Sequence, residues 1–180
     1  MIRKLGASLQ RTLALLLLTA LAASAQAAVM AEYAVKSALL FRLPQFVYQA
    51  GSNREQPLTL CLLGSNPFDG ALEKLAQSPI DGRAVRYQKL SGTPEAVNCD
   101  FVFISRSEVV YLDGVLRRLS AYPAVTVSDI DGFAKAGGMV EFATGDDGAA
   151  ISILINRKAA QKQSVEFKAQ LLRLAKVVEP

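Results

Sequence analysis

Leu58-Thr-Leu-Cys-Leu-Leu63 runs without a charged side chain, and Phe101-Val-Phe-Ile104 repeats the pattern further along. A strand with one wet face alternates apolar and polar residues, whereas a continuous apolar run marks a strand covered on both faces. Runs of this kind therefore demand helices above and below a sheet. Segments of the right length lie between them. Gly64-Ser-Asn-Pro67 reads as a strand-to-helix junction, with Asn66 as cap, Pro67 at the first helical position and a helix to about Gln77. Asp81-Gly82 signals a turn before a strand over 85–90. Ser105-x-x-Glu108 has the form of a capping box that opens a helix through Leu119, and 124–127 is a fourth strand. Strand, helix and strand at this spacing imply right-handed crossovers. The expected class is α/β: a three-layer Rossmann-like sandwich with a mostly parallel central sheet and helices on both faces.

The two ends differ from this middle. A helix from about Ala31 should stop near Leu43, because Pro44 follows. In the last third, 139–143 and 149–155 flank Gly145-Asp-Asp-Gly148, a C-terminal antiparallel hairpin signal. From about Arg157 a helical region carries the stripe Leu171, Leu172, Leu174, Ala175 and Val178.

The first 27 residues read as a cleavable signal peptide: Arg3, Lys4 and Arg11 precede the apolar run 13–23, and Ala25-Gln-Ala27 supplies small residues for cleavage near Ala27. The apolar run is short for a membrane span. The mature chain, 28–180, is then a single exported domain, expected in the periplasm. Removing the three basic residues of the leader leaves 17 Lys and Arg against 16 Asp and Glu, so the +4 of the full chain falls to +1. The remaining basic residues are scattered, apart from Arg117-Arg118 and the region 157–168, each readable as a solvated helix face. Nucleic-acid binding, which needs a clustered basic surface, is disfavoured.

The catalytic inventory is narrow. The chain contains no histidine, which removes Ser-His-Asp and Cys-His hydrolysis and histidine metal sites. It has no glycine-rich phosphate-binding signature, so no cofactor is expected, and Asp146-Asp147 fits a tight turn better than a calcium loop. Cys61 and Cys99 are the two cysteines. In an oxidising compartment an even count reads as a disulfide, worth about 3 to 4 kcal/mol for a loop of this length, and two buried free thiols are the alternative.

In a parallel sheet the loops after successive strands emerge at one edge. Here they bring Ser65, Asn66, Ser105, Arg106, Ser128, Asp129 and Asp131. Arg106 and Asp129 fit either a crevice for a small zwitterion or a surface ion pair. Gly137-Gly138 lies between Phe133 and Phe142 and lets the chain leave a helical turn and enter the strand at Met139; the elbow shapes a surface and turns the chain rather than doing chemistry. Phe133 is either a core anchor or part of a partner surface.

Several blocks resemble the YfiR-like periplasmic repressors. They are Ala34-Val-Lys-Ser-Ala-Leu-Leu-Phe41 with Phe46-Val47, Leu58 to Gly64 with Asn66-Pro67-Phe68, Cys99-Asp-Phe-Val-Phe-Ile-Ser105, Thr126-Val-Ser-Asp129, Gly132-Phe-Ala134, Gly137-Gly-Met139, and Leu171 to Ala175. The resemblance covers nearly all of 31–178. It implies a non-enzymatic regulator that binds the sensing region of an inner-membrane diguanylate cyclase and lowers cyclic-di-GMP synthesis. It also implies a homodimer, sequestration by an outer-membrane OmpA-like lipoprotein, and a Cys61–Cys99 bridge at the family's cysteine pair. Where family members often read Val-Glu-Trp-Pro after the first helix, this chain has Val47-Tyr48-Gln49-Ala50, and the second disulfide of some members is absent.

Three functions follow. A repressor module would present Tyr48, Arg106, Asp129, Phe133 or Met139 on a partner surface, with an exposed apolar patch. A small-ligand binder would use the strand-end crevice at Arg106 and Asp129. An enzyme would have only carboxylates such as Asp129 and Asp131, and would need a strongly perturbed acid in a cleft.

Overall fold

The computed structural model describes residues 27, 29–49, 55–145 and 150–179. The expected leader therefore lies outside the described residues, apart from residue 27, and so does most of the hairpin turn. Two compact units are distinguished, 1–35 and 36–180. Residues 29–42 are helical (α1), and Pro44 converts the chain to a 3-10 turn over Leu43–Phe46, as its missing N–H requires.

In the second unit the strands are β1 (Val47–Gln49), β2 (Leu58–Leu63), β3 (Val85–Leu90), β4 (Phe101–Ile104), β5 (Val125–Ser128), β6 (Val140–Thr144), β7 (Ile151–Ile155), β8 (Val165–Phe167) and β9 (Lys176–Val177). The helices are α2 (Ala71–Leu75), α3 (Leu112–Leu119), α4 (Arg157–Lys162) and α5 (Ala169–Leu174). Seven strands form one sheet in the order β3-β2-β4-β5-β6-β7-β9, parallel except for the β6–β7 pair. The protein is thus a mixed α/β sandwich with a mostly parallel sheet, and the β6–β7 hairpin is where the sequence placed it.

The continuous apolar runs are explained by burial on both faces. Every residue of β2, β4 and β5 is buried. Cys61, Leu63, Val102 and Ile104 join Val115, Leu119 and Phe133 in one cluster. The alternate positions point the other way, where Phe103 meets the edge of Phe68 at a ring separation of 4.8 Å. Cys61 and Cys99 are disulfide-bonded with Cα atoms 5.9 Å apart, closing 38 residues over the first cluster.

Three expectations need correction. Asn66 does not cap a helix: its Oδ1 accepts from Phe68 N at 2.9 Å, its amide donates to Glu73 Oε1 at 3.0 Å, and α2 begins only after Gly70, in the left-handed region. A short polar side chain bonding its own backbone competes with helix formation, so α2 is both late and short. Ser105 makes no side-chain cap, and 106–111 is a 3-10 segment leading into α3. The C-terminal helical region is two short helices separated by β8, which pairs antiparallel with β1 to form a second, two-stranded sheet. Val165-Glu-Phe167 suits a strand, and the waiting partner β1 overrides the helical stripe. Of that stripe only Leu171 is buried, and Leu174 is 80% exposed.

Candidate functional site

The chain enters the sheet at β2, adds β3 on one side and then crosses to β4 on the other. Such a reversal opens a crevice at the carboxyl ends of the two central strands, the usual place for a ligand in this architecture. Here it is closed. Ser65 N donates to Ser107 Oγ at 2.9 Å, so the loop after β2 is tied to the segment after β4. Gly64 has φ +95°, and a Cβ there would collide with the Ser107 hydroxyl.

Arg106, Asp129 and Asp131 do come together, as the strand-end argument expects. Arg106 Nε reaches Asp129 Oδ2 at 3.2 Å, and its Nη2 reaches Asp131 Oδ1 at 3.3 Å. The member that sequence reasoning missed is Lys36 on α1. Its ammonium donates to Asp129 Oδ2 at 2.9 Å, and both side chains are fully buried. Asp129 is thus held by two cations from different elements. This is a lock between α1 and the carboxyl edge of the sheet, because an ion pair removed from water must stay paired. Lys36 was legible in principle: Lys36, Leu40 and Leu43 follow a helical spacing and are all buried, which places the ammonium on the apolar stripe.

The glycine elbow has a second missed residue at its base. Glu141 is buried in β6 and accepts from Gly132 N at 3.0 Å and Ala134 N at 2.9 Å. Asn156 closes the same loop from the other side. Its amide donates to Ala134 O at 2.7 Å while its Oδ1 caps α4 by accepting from Ala159 N. Gly137 sits at φ +109°, and at Gly138 a Cβ would enter the Phe133 ring. The elbow turns the chain and makes room for a core aromatic. Phe133 and Met139 are buried and leave the candidate partner surface; of the proposed surface residues only Tyr48 and Arg106 are accessible, Tyr48 at 56%.

Exposed apolar side chains gather elsewhere. Val109, Val110 and Tyr111 follow one another on the 3-10 segment before α3, and Val110 is 82% exposed. At the opposite, amino edge of the sheet, a cavity of about 260 Å³ is lined by Val47, Leu58, Arg83, Asp100 and Lys168 among others. Two of its charged groups are engaged internally: Arg83 Nε donates to Gln56 O at 2.6 Å, and Asp100 Oδ2 accepts from Thr59 N at 2.7 Å. Tyr87 is pushed up to about 12, first by burial and then by the neighbouring Glu73 carboxylate. Among the described residues no group of His, Cys, Asp and Glu has the arrangement of a metal site.

Residues 33–176 match the model of the YfiR/HmsC-like family, DUF4154. No curated protein matches the chain. Among solved structures, the chain is similar to a conserved domain protein from Vibrio cholerae O1 biovar eltor, with a TM-score of 0.55 at 9% identity, covering 82% of this chain and 60% of that one. It is also similar to an ABC domain from Streptococcus pneumonia in complex with L-Trp, with a TM-score of 0.52 at 15% identity, covering 79% of this chain and 59% of that one. At these identities the likeness is one of fold.

Proposed function

Because the chain belongs to the YfiR/HmsC-like family, we propose that it is a periplasmic regulator that binds the sensing region of an inner-membrane diguanylate cyclase and represses it, lowering cyclic-di-GMP. The family match over 33–176 carries this reading, since it spans the whole seven-stranded sheet rather than one motif. Two features of the molecule support it. The place where a doubly wound sheet usually holds its ligand is crossed by the protein's own Ser65–Ser107 bond, and the Lys36–Asp129–Arg106 cluster pairs its charges internally at the neighbouring strand end. The exposed run Val109-Val110-Tyr111 offers apolar contact area of the kind partners cover.

In this reading residues 1–27 are removed on export and 28–180 act as one domain. A disulfide fits an oxidising compartment. Among the described residues no helix is long and apolar enough to cross a membrane. The chain works by contact rather than by catalysis, pairs with a second copy, and is released from the cyclase when an outer-membrane OmpA-like lipoprotein captures it.

The test is the cyclic-di-GMP level in cells lacking the protein, compared with cells restored by the full chain, by a chain lacking 1–27, or by Cys61→Ser/Cys99→Ser. A rise on deletion, reversed by the full chain and not by the leaderless one, is expected. An unchanged level in a strain shown to express the protein would overturn the repressor reading.

A further inference from the structure

Two basic stretches that the sequence separates widely each contribute to a single groove: Arg117 from the first, and Lys158 and Lys162 from the second. Its walls are α3, the glycine elbow and α4, and it encloses about 780 Å³. Arg117, Lys135, Lys158 and Lys162 reach it, and no Asp or Glu does. Lys158 touches Glu179 at 3.5 Å, with both side chains largely in water. Arg117, Lys135 and Lys162 have no carboxylate partner among the described residues. Gathering like charges without counter-charge does not help a fold.

The arrangement is nevertheless held firmly. Asn156 bonds both Ala134 and the first turn of α4, and Glu141 pins Gly132 and Ala134, so Lys135 is fixed relative to Lys158 and Lys162. Between the cations the lining is uncharged: Leu116, Ala136 and Ala159 are apolar or small, and Ser120, Gln161 and Gln163 add neutral hydrogen-bonding groups. No aromatic side chain lines the groove, so nothing stacks a base. The cations come from three separate elements rather than from one turn, which suits several spaced carboxylates better than one compact phosphate.

We infer that this groove binds an extended acidic segment of a protein partner. Resting on the repressor reading, that segment belongs to the periplasmic region of the cyclase. Charge complementarity of this kind speeds encounter and selects the partner, and it weakens as salt rises.

The experiment uses the disulfide-bonded mature chain and a fluorescein-labelled peptide of alternating Glu and Ala, followed by anisotropy. Saturable binding that weakens with added salt is expected, reduced about tenfold or more in Arg117→Glu/Lys135→Glu/Lys162→Glu at an unchanged melting temperature. The charge-matched control Lys74→Glu/Arg86→Glu/Lys89→Glu, on α2 and the edge strand β3, keeps its binding. Equal binding by wild type and groove variant, equal loss in the control, or binding to phosphatidylglycerol vesicles without peptide binding would each overturn the proposal. In the deletion strain, repression by the wild type but not by the groove variant supports the cyclase as owner of the segment, and equal repression by both removes that assignment. Failure of the wild type itself to repress overturns the repressor reading alone, because the peptide measurement does not depend on it.

Discussion

The Asp129 cluster and the groove beside α4 both gather cations, and they treat them in opposite ways. At the cluster, Lys36 is wholly buried and donates to a wholly buried carboxylate that also holds Arg106. In the groove, Arg117, Lys135 and Lys162 stand in water with no carboxylate facing them. Burial explains the difference. A desolvated charge costs several kcal/mol unless it is paired, so Lys36 and Asp129 specify each other and tell how the chain folds. A hydrated charge costs little when left alone, so the groove cations are free to meet something else.

The largest effect that could break this contrast is at Asp129. Asp129→Ala removes the carboxylate at 2.9 Å from the buried Lys36 ammonium and should destabilise the protein by about 3–5 kcal/mol in urea unfolding. A loss near zero would mean that the buried pair does not define the fold. Next comes the bridge: Cys61→Ser/Cys99→Ser opens a loop of 38 residues and should cost about 3 to 4 kcal/mol. Below its lowered melting temperature the variant should still bind the acidic peptide, since neither cysteine lines the groove. Loss of peptide binding in a folded double variant would join the two regions that the comparison separates.

Much of the buried framework is visible in the sequence for one reason: continuous apolar runs have only one comfortable home, a strand covered on both faces. Leu58–Leu63 and Phe101–Ile104 are read this way and found this way. Local rules fail where a distant partner decides. Val165–Phe167 becomes a strand because β1 lies alongside it, and nothing within the C-terminal stripe announces that. Ser105 has the pattern of a cap, but the bond that forms runs from Ser65 to Ser107, across two loops. The candidate site divides in the same way. Arg106, Asp129 and Asp131 follow from topology, whereas Lys36 and Glu141 each stand as one charge in an apolar setting. That signal is present in the chain, but only the fold supplies the partner. The groove was least legible, because its basic residues belong to three elements and look like ordinary wet helix faces until the sheet brings them together.

Smaller effects sharpen the comparison from the structured side. Gly138→Ala places a methyl against the buried Phe133 ring at the elbow that carries Lys135. Overpacking of this kind should cost about 1–3 kcal/mol. Phe133→Leu in the same chain should recover part of that loss, and no recovery would mean that backbone strain, rather than the ring, is responsible. Tyr87 is an intermediate case, partly buried beside Glu73. Its phenol is pushed up to about 12 in the folded protein, against about 10 in an unfolded chain. Below pH 10 the tyrosine is neutral in both states and has no effect. As pH rises from 10 towards 12 the unfolded chain ionises first, so native stability falls. Urea midpoints of wild type and Tyr87→Phe should therefore be parallel below pH 10 and diverge above it, with the wild type losing more.

The smallest expected effect is the most diagnostic. Lys135→Ala and Lys162→Ala should each change stability by no more than about 0.5 kcal/mol, because both side chains are exposed and neither meets a carboxylate. The sign is expected at or slightly above neutral, since removing one charge relieves repulsion from its neighbours. Lys36→Met is the matched comparison: it keeps the volume, strips Asp129 of its buried cation, and should cost clearly more in the same denaturation series. A loss at Lys135 as large as that at Lys36 would show that the groove cations serve the fold, and the reason for assigning them to a partner would be gone. A flat stability response together with weakened peptide binding would leave binding as the work these charges do.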